Sequence, residues 1–202
     1  MMHESENFSF VGGEPCLDFI NTRTGWRENV WADLLISFEN LVLWESQAGL
    51  LSSEDACELR MIGALRKRKA GNILREAISF RDSAREAVEA LIREESIPSN
   101  VLENINAFVK GAGASRRLEY NSGKLVLGWD AGSERLMGKL FWSLSESLTT
   151  VLTELPADRI KMCAGHACEW FFYDSSKNGR RRWCQMSVCG NRAKTHRFAE
   201  KK

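Results

Sequence analysis

The tightest constraint on this 202-residue chain is a pair of equal cysteine spacings near its end. Cys163 and Cys168 make one C-x4-C, Cys184 and Cys189 make another, and fifteen residues lie between the pairs. Two short spacings of this kind bring four thiolates to one point from two turns, and zinc prefers such a tetrahedral sulfur set. One structural Zn2+ held by Cys163, Cys168, Cys184 and Cys189 is therefore expected. His166 offers an alternative donor at C-x2-H spacing, but four symmetric thiolates make it unnecessary. Cys16 and Cys57 stand alone and read as free buried thiols.

Around the cysteines, residues 159–163 and 170–173 have strand composition, with a knuckle between them. Residues 174–179 carry turn chemistry, and 180–184 can return as a second strand. A helix then opens at Cys189 and reaches about Ala199. Knuckle, hairpin, and a second knuckle feeding a helix make a treble-clef-like module. At a helix start, free backbone N–H groups favour the Cys189 thiolate.

The net charge of +1 conceals a division. Residues 159–202 carry eleven Lys and Arg against three acids, while the rest of the chain carries 17 against 24. Neutralising a four-thiolate zinc site accounts for about two of the surplus charges. The remainder point to a polyanion. Arg180, Arg181 and Arg182 are the expected phosphate contacts. Asn191, Arg192, Lys194, His196 and Arg197 would decorate the terminal helix, where Asn and Arg can read base edges. Neutralising about five phosphates predicts a log–log salt slope near −4.5. DNA is the expected partner. RNA or the ribosome is an alternative, because phosphate contacts do not report the sugar. A module that only staples the fold and mediates protein contacts is a third reading. An enzyme is not expected, since four thiolates leave zinc no open position.

The first 156 residues read as an α-rich domain with one β-hairpin, and 157–202 as the zinc module. Residues 8–11 alternate like a short strand before a Gly-Gly-Glu-Pro turn. Asp18, Asn21 and Thr22 then share one helical face, either as local anchors or as the lining of a small-ligand pocket. Apolar periodicity predicts a helix over residues 33–48. A second starts at Ser52-Ser53 and ends in the basic run 66–69. The longest apolar stripe runs through residues 73–92 and is broken only by Arg81. That side chain would pair with an acid, Asp18 being one candidate, or bind a ligand's carboxylate or phosphate. Another helix follows Pro98, with a flexible break over 111–114. Asn121-Ser122-Gly123 between two strand-like runs predicts the hairpin, and a last helix ends before Pro156. No apolar run approaches the ~20 residues that span a bilayer. Residues 1–10 have no basic n-region, so cytoplasmic residence is expected. A homodimer finds no support in the sequence.

The stretch from Trp183-Cys184 through Cys189-Gly190-Asn191-Arg192-Ala193-Lys194, with Tyr173-Asp174-Ser175-Ser176-Lys177-Asn178-Gly179 before it, resembles the CGNR zinc finger. The body, opening with Cys16-Leu17-Asp18-Phe19-Ile20-Asn21-Thr22, is similar to the ABATE domain that accompanies this finger in bacterial proteins. The resemblance implies a stress-induced transcription regulator with zinc on the four cysteines. It implies no catalytic residue.

Overall fold

The computed structural model describes residues 8–24, 32–114, 116–129, 134–165 and 168–199. Seven α-helices and three two-stranded antiparallel sheets follow one another among these residues. The order is α1 (Pro15–Ile20), β1 (Arg23–Thr24), β2 (Ala32–Asp33), α2 (Phe38–Gln47), α3 (Ser53–Leu65), α4 (Lys67–Ile92), α5 (Ser99–Gly113), β3 (Arg116–Asn121), β4 (Lys124–Trp129), α6 (Glu134–Thr153), β5 (Ile160–Met162), β6 (Phe171–Tyr173) and α7 (Asn191–Ala199). No helix among the described residues is long and apolar enough to cross a membrane.

Helix α4 is the axis of the body. Its 26 residues span about 39 Å at the usual rise. The buried positions Ile73, Ala77, Phe80, Ala84 and Val88 form the stripe read from the sequence, and every other helix of the body touches some part of α4. Phe80 stacks edge-on with Phe108 of α5 at 5.1 Å between centroids, and Phe108 meets Phe141 of α6 at 5.3 Å. Helix α1 enters through Pro15, whose missing N–H costs nothing in a first turn. Cys16, Leu17, Phe19 and Ile20 then vanish completely against α4, α6 and β6. Burying each of the three larger side chains is worth about 1.5–3 kcal/mol, enough to hold a helix too short to stand alone.

Several expectations need correction. Residues 8–11 form no strand. The helix predicted from residue 33 begins at Phe38, where the Ser37 hydroxyl accepts the Asn40 N–H at 3.2 Å. Asp33 instead lies in β2 opposite Arg23, drawn there by Arg81. The basic run does not close α3. Arg66 ends that helix, and residues 67–69 open α4. The break expected at 111–114 is helical through Gly113. Cys57 is exposed rather than buried. Residues 180–184 form no ladder, because the Arg181 N–H is taken by a side chain, Asp174. The β3–β4 hairpin does form, with the turn at Ser122-Gly123 and Leu118 opposite Leu127.

The zinc module is stitched to the body, not hung from it. Along β6, Phe171 turns into the core of the body, while Phe172 turns to the cysteines. On the edge of β6 that faces α1, the Asn21 carboxamide accepts the Phe171 N–H at 2.8 Å and donates to its carbonyl at 2.8 Å. The Tyr173 N–H donates to the Gly12 carbonyl at 2.7 Å. One side chain and one carbonyl thus act as a missing third strand.

Candidate metal centre and basic surface

Cys163 leaves β5, Cys168 closes the knuckle before β6, and Cys184 precedes a π-turn over Met186–Gly190 that carries Cys189 into α7. Their four sulfurs lie within 4.8 Å of one another. Cys168 to Cys184 and Cys184 to Cys189 are each 3.6 Å apart. A tetrahedron with metal–sulfur bonds of about 2.3 Å has edges of about 3.8 Å, so the cage matches zinc. The Cys163 sulfur also accepts the N–H groups of Gly165 at 3.4 Å and Cys184 at 3.3 Å, which favours its thiolate form. A Cβ at Gly165 would sit 3.0 Å from the Cys189 Cβ and 3.3 Å from the Cys163 sulfur. The first knuckle therefore needs glycine there. Val11, Phe172, Trp170 and Trp183 pack around the cluster, which leaves only Cys168 half-buried. The donor set, the spacing and the N–H bonds fit one structural Zn2+. His166 lies outside the described residues.

A buried carboxylate organises the loop beyond β6, and sequence reasoning missed it. Asp174 accepts from Lys161 Nζ at 2.7 Å and the Arg181 N–H at 2.8 Å through one oxygen. Its other oxygen takes the Ser176 N–H at 3.1 Å and the Ser176 hydroxyl at 2.6 Å. Burial pushes the Asp174 carboxyl up, but the ammonium and these donors more than reverse that and hold it well below the usual range. Arg159 donates to the carbonyls of Asp174 and Ser176 and lies against Gly179, whose φ of +58° suits glycine. The signal was the Asp-x-Ser after a strand, an Asx-turn pattern.

The three consecutive arginines have different fates. Arg180 and Arg182 are exposed, while Arg181 turns inward. The Arg181 guanidinium donates to the carbonyls of Val11 at 2.9 Å, Trp183 at 3.0 Å and Cys184, and stacks over Phe172 at 4.3 Å. Its assignment to phosphate contact is corrected accordingly. Arg180 and Arg182 border a cleft of about 740 Å³ with Lys161 and Ile92. Asn191, Arg192, Thr195 and His196 border a separate groove of about 600 Å³ that shares none of those residues. Lys194 is exposed as well, and Arg197 continues α7. No ion pair joins Arg180, Arg182, Arg192 or Lys194 to an acid among the described residues.

The four residues assigned to a ligand pocket serve the fold instead. Asp18 accepts the N–H groups of Val11 at 2.8 Å and Gly12 at 2.7 Å; burial nonetheless pushes its carboxyl up to about 6. Asn21 holds β6. Thr22 donates to the Phe19 carbonyl at 2.7 Å and accepts from Arg81 at 3.1 Å. Arg81, wholly buried, grips Asp33 with two bonds of 2.8 and 2.6 Å, so its acid is Asp33 and not Asp18. Burial alone would raise the Asp33 carboxyl, but the guanidinium holds it below the usual range. The ligand-binding assignment of Asp18, Asn21, Thr22 and Arg81 is not retained. A cleft of about 760 Å³ lies elsewhere, between α4, α5 and α6, lined by Lys69, Ile73, Glu76, Phe108 and Phe141 among others.

A four-cysteine zinc module folded onto a helical body defines a zinc-finger protein with an α-rich N-terminal part. Comparison with family models places residues 159–202 in the CGNR zinc finger and residues 13–155 in ABATE, described as "Putative stress-induced transcription regulator". The chain belongs to this ABATE family and carries the CGNR finger at its C-terminus. A comparison with curated proteins finds no match.

Proposed function

We propose that this protein binds duplex DNA through its zinc finger and regulates transcription, the metal shaping the finger and taking no part in chemistry. The carrying observation is that Arg180, Arg182, Arg192 and Lys194 stand exposed, without an acid partner among the described residues. They do so in a segment with a surplus of eight positive charges. Exposed cations without an acid partner, Arg182 among them although it lies over Trp183 at 5.4 Å, are what a phosphate backbone neutralises. The family description adds weight to regulation. Four thiolates complete the zinc tetrahedron, so a metal-bound water has no place and catalysis is not part of this reading. A sensing role for the body belongs to the cleft between α4, α5 and α6, where Lys69 and Glu76 would give a small ligand its polar anchors.

Fluorescence anisotropy on the zinc-loaded chain tests the proposal. With Arg181 withdrawn, four contacts predict a log–log salt slope of about −3.6 on duplex DNA. Replacing Arg192 and Lys194 by serine should flatten that slope by about 1.8. Absence of duplex binding at low salt, or preference for single-stranded RNA, would overturn it.

A further inference from the structure

The β3–β4 hairpin exposes both of its faces, one largely polar and one apolar. In the observed register, Leu118 faces Leu127 and Tyr120 faces Leu125, and alternation places all four on one side. Arg117, Glu119, Asn121, Lys124 and the partly exposed Val126 share the opposite side. There Glu119 lies across Gly128, where a Cβ would strike its carboxylate, and pairs with Arg117 at 3.5 Å. The polar side is thus satisfied within the hairpin. The root of the apolar side is sealed too. Arg116 stacks over Trp129 at 4.3 Å and Trp142 at 5.0 Å, and Trp129 lies against Gly138 of α6. Beyond that root nothing among the described residues covers the face. Leu118 is 66% exposed, Tyr120 80%, Leu125 57% and Leu127 50%.

A two-stranded hairpin alone is marginal in water and needs a further layer on its apolar side. We infer that this layer is the same hairpin of a second copy, the two sheets packing face to face about a two-fold axis. Area supports this occupant. These exposures leave about 480 Å² of mostly apolar surface per chain, in the upper part of what an ordinary monomer shows. Two copies together would bury at most ~1,000 Å², about the threshold for a weak, transient interface. The chemistry supports it as well. The patch consists of one Leu–Leu and one Tyr–Leu cross-strand pair and carries no charge, since Arg116 is held over the tryptophans. It therefore offers no electrostatic handle to a partner of either sign. A two-fold contact would set each patch against its own copy. An interface of this size gives an exchanging dimer, not a permanent one.

Sedimentation velocity with light scattering on the full zinc-loaded chain, from ~1 to ~300 μM, reads this directly, because mass action makes the dimer concentration-dependent. The mass should climb from 22.9 kDa towards twice that value. Leu118→Glu with Leu127→Glu should hold the chain monomeric throughout, with unchanged helical circular dichroism. Lys124→Glu, on the other face, should leave the dimer intact. Should the double variant not fold, Tyr120→Ser at the most exposed position should weaken dimerisation by about tenfold or more. A native chain that stays monomeric across the range overturns the inference, whether or not the hairpin captures some other protein. So does a dimer that persists undiminished in a folded hairpin variant.

Discussion

Replacing Asn21 by leucine would isolate what fastens the finger to the body. The side chains are similar in size, so packing of α1 is little changed, but both hydrogen bonds to the Phe171 backbone are lost. Phe171 is fully buried, so water cannot take over. Leaving a buried donor or acceptor unpaired costs about 1–3 kcal/mol, and here one of each is orphaned. Some relaxation of β6 towards solvent offsets part of this, which leaves an expected loss of about 3 kcal/mol. In a chain of this length that lowers Tm by about 9 °C. Thermal melts should be run in excess zinc, so that metal occupancy is equal in both proteins. Hydrogen exchange supplies the local reading: the Phe171 amide should lose protection, while amides in the middle of α4 keep theirs. A loss below about 0.5 kcal/mol, or an unchanged Phe171 amide, would refute the view that this carboxamide stands in for a strand.

Three further outcomes follow from the same contacts. Glu45 is fully buried, and neither carboxylate oxygen has a hydrogen-bond partner. Burial raises its pKa well above the ordinary value. A raised folded pKa means stability that is present below the unfolded pKa and lost as pH climbs towards the folded one. Glu45→Met should therefore gain about 1–2 kcal/mol on the native protein at neutral pH, with the gap closing below about pH 4.5, in paired urea titrations. Asp33→Ala takes both carboxylate bonds from the buried Arg81, leaving it Thr22 and Asp82 at 3.7 Å, and should cost about 3 kcal/mol by the same assay, whereas Arg81 and Asp33 exchanged together for Met and Ala should cost less. Chelating the metal should loosen the finger, seen as a change in fluorescence from Trp170 and Trp183. Most helical circular dichroism should remain, because α1 to α6 owe their packing to the body core.

Elements announced by local chemistry were legible in the sequence. Alternation around Asn121-Ser122-Gly123 marked the hairpin, the 3.6-residue stripe marked α4, and the cysteine spacing marked the metal. What escaped depends on distant partners. Leu34, Leu35 and Phe38 kept a helical period going, but the backbone at Asp33 answers to Arg81, 48 residues later. Arg180, Arg181 and Arg182 are indistinguishable as letters; an extended chain alternates, and only the middle one faces the Val11 carbonyl. In sequence, Asp18 and Asn21 read either as local anchors or as a ligand's contacts, because buried polar groups need partners. Their partners proved to be backbone groups contributed by the loop before α1 and by a strand 150 residues away. Asp174 reads as an ordinary turn residue in the sequence, since nothing local shows that Lys161 reaches it.

Strand β6 has a further consequence for how this chain can vary. Its neighbouring phenylalanines serve two different interiors, Phe171 the helical one and Phe172 the metal-bound one. Side chains alternate along a strand with a period of two. Adding or deleting a single residue between Cys168 and Phe171 would thus send each ring into the other's place while shifting the ligand beside them. A change of length there cannot be absorbed as it is in ordinary loops. The few residues joining knuckle to strand act as a gauge, setting the metal and the helices to one another in steps of whole residues.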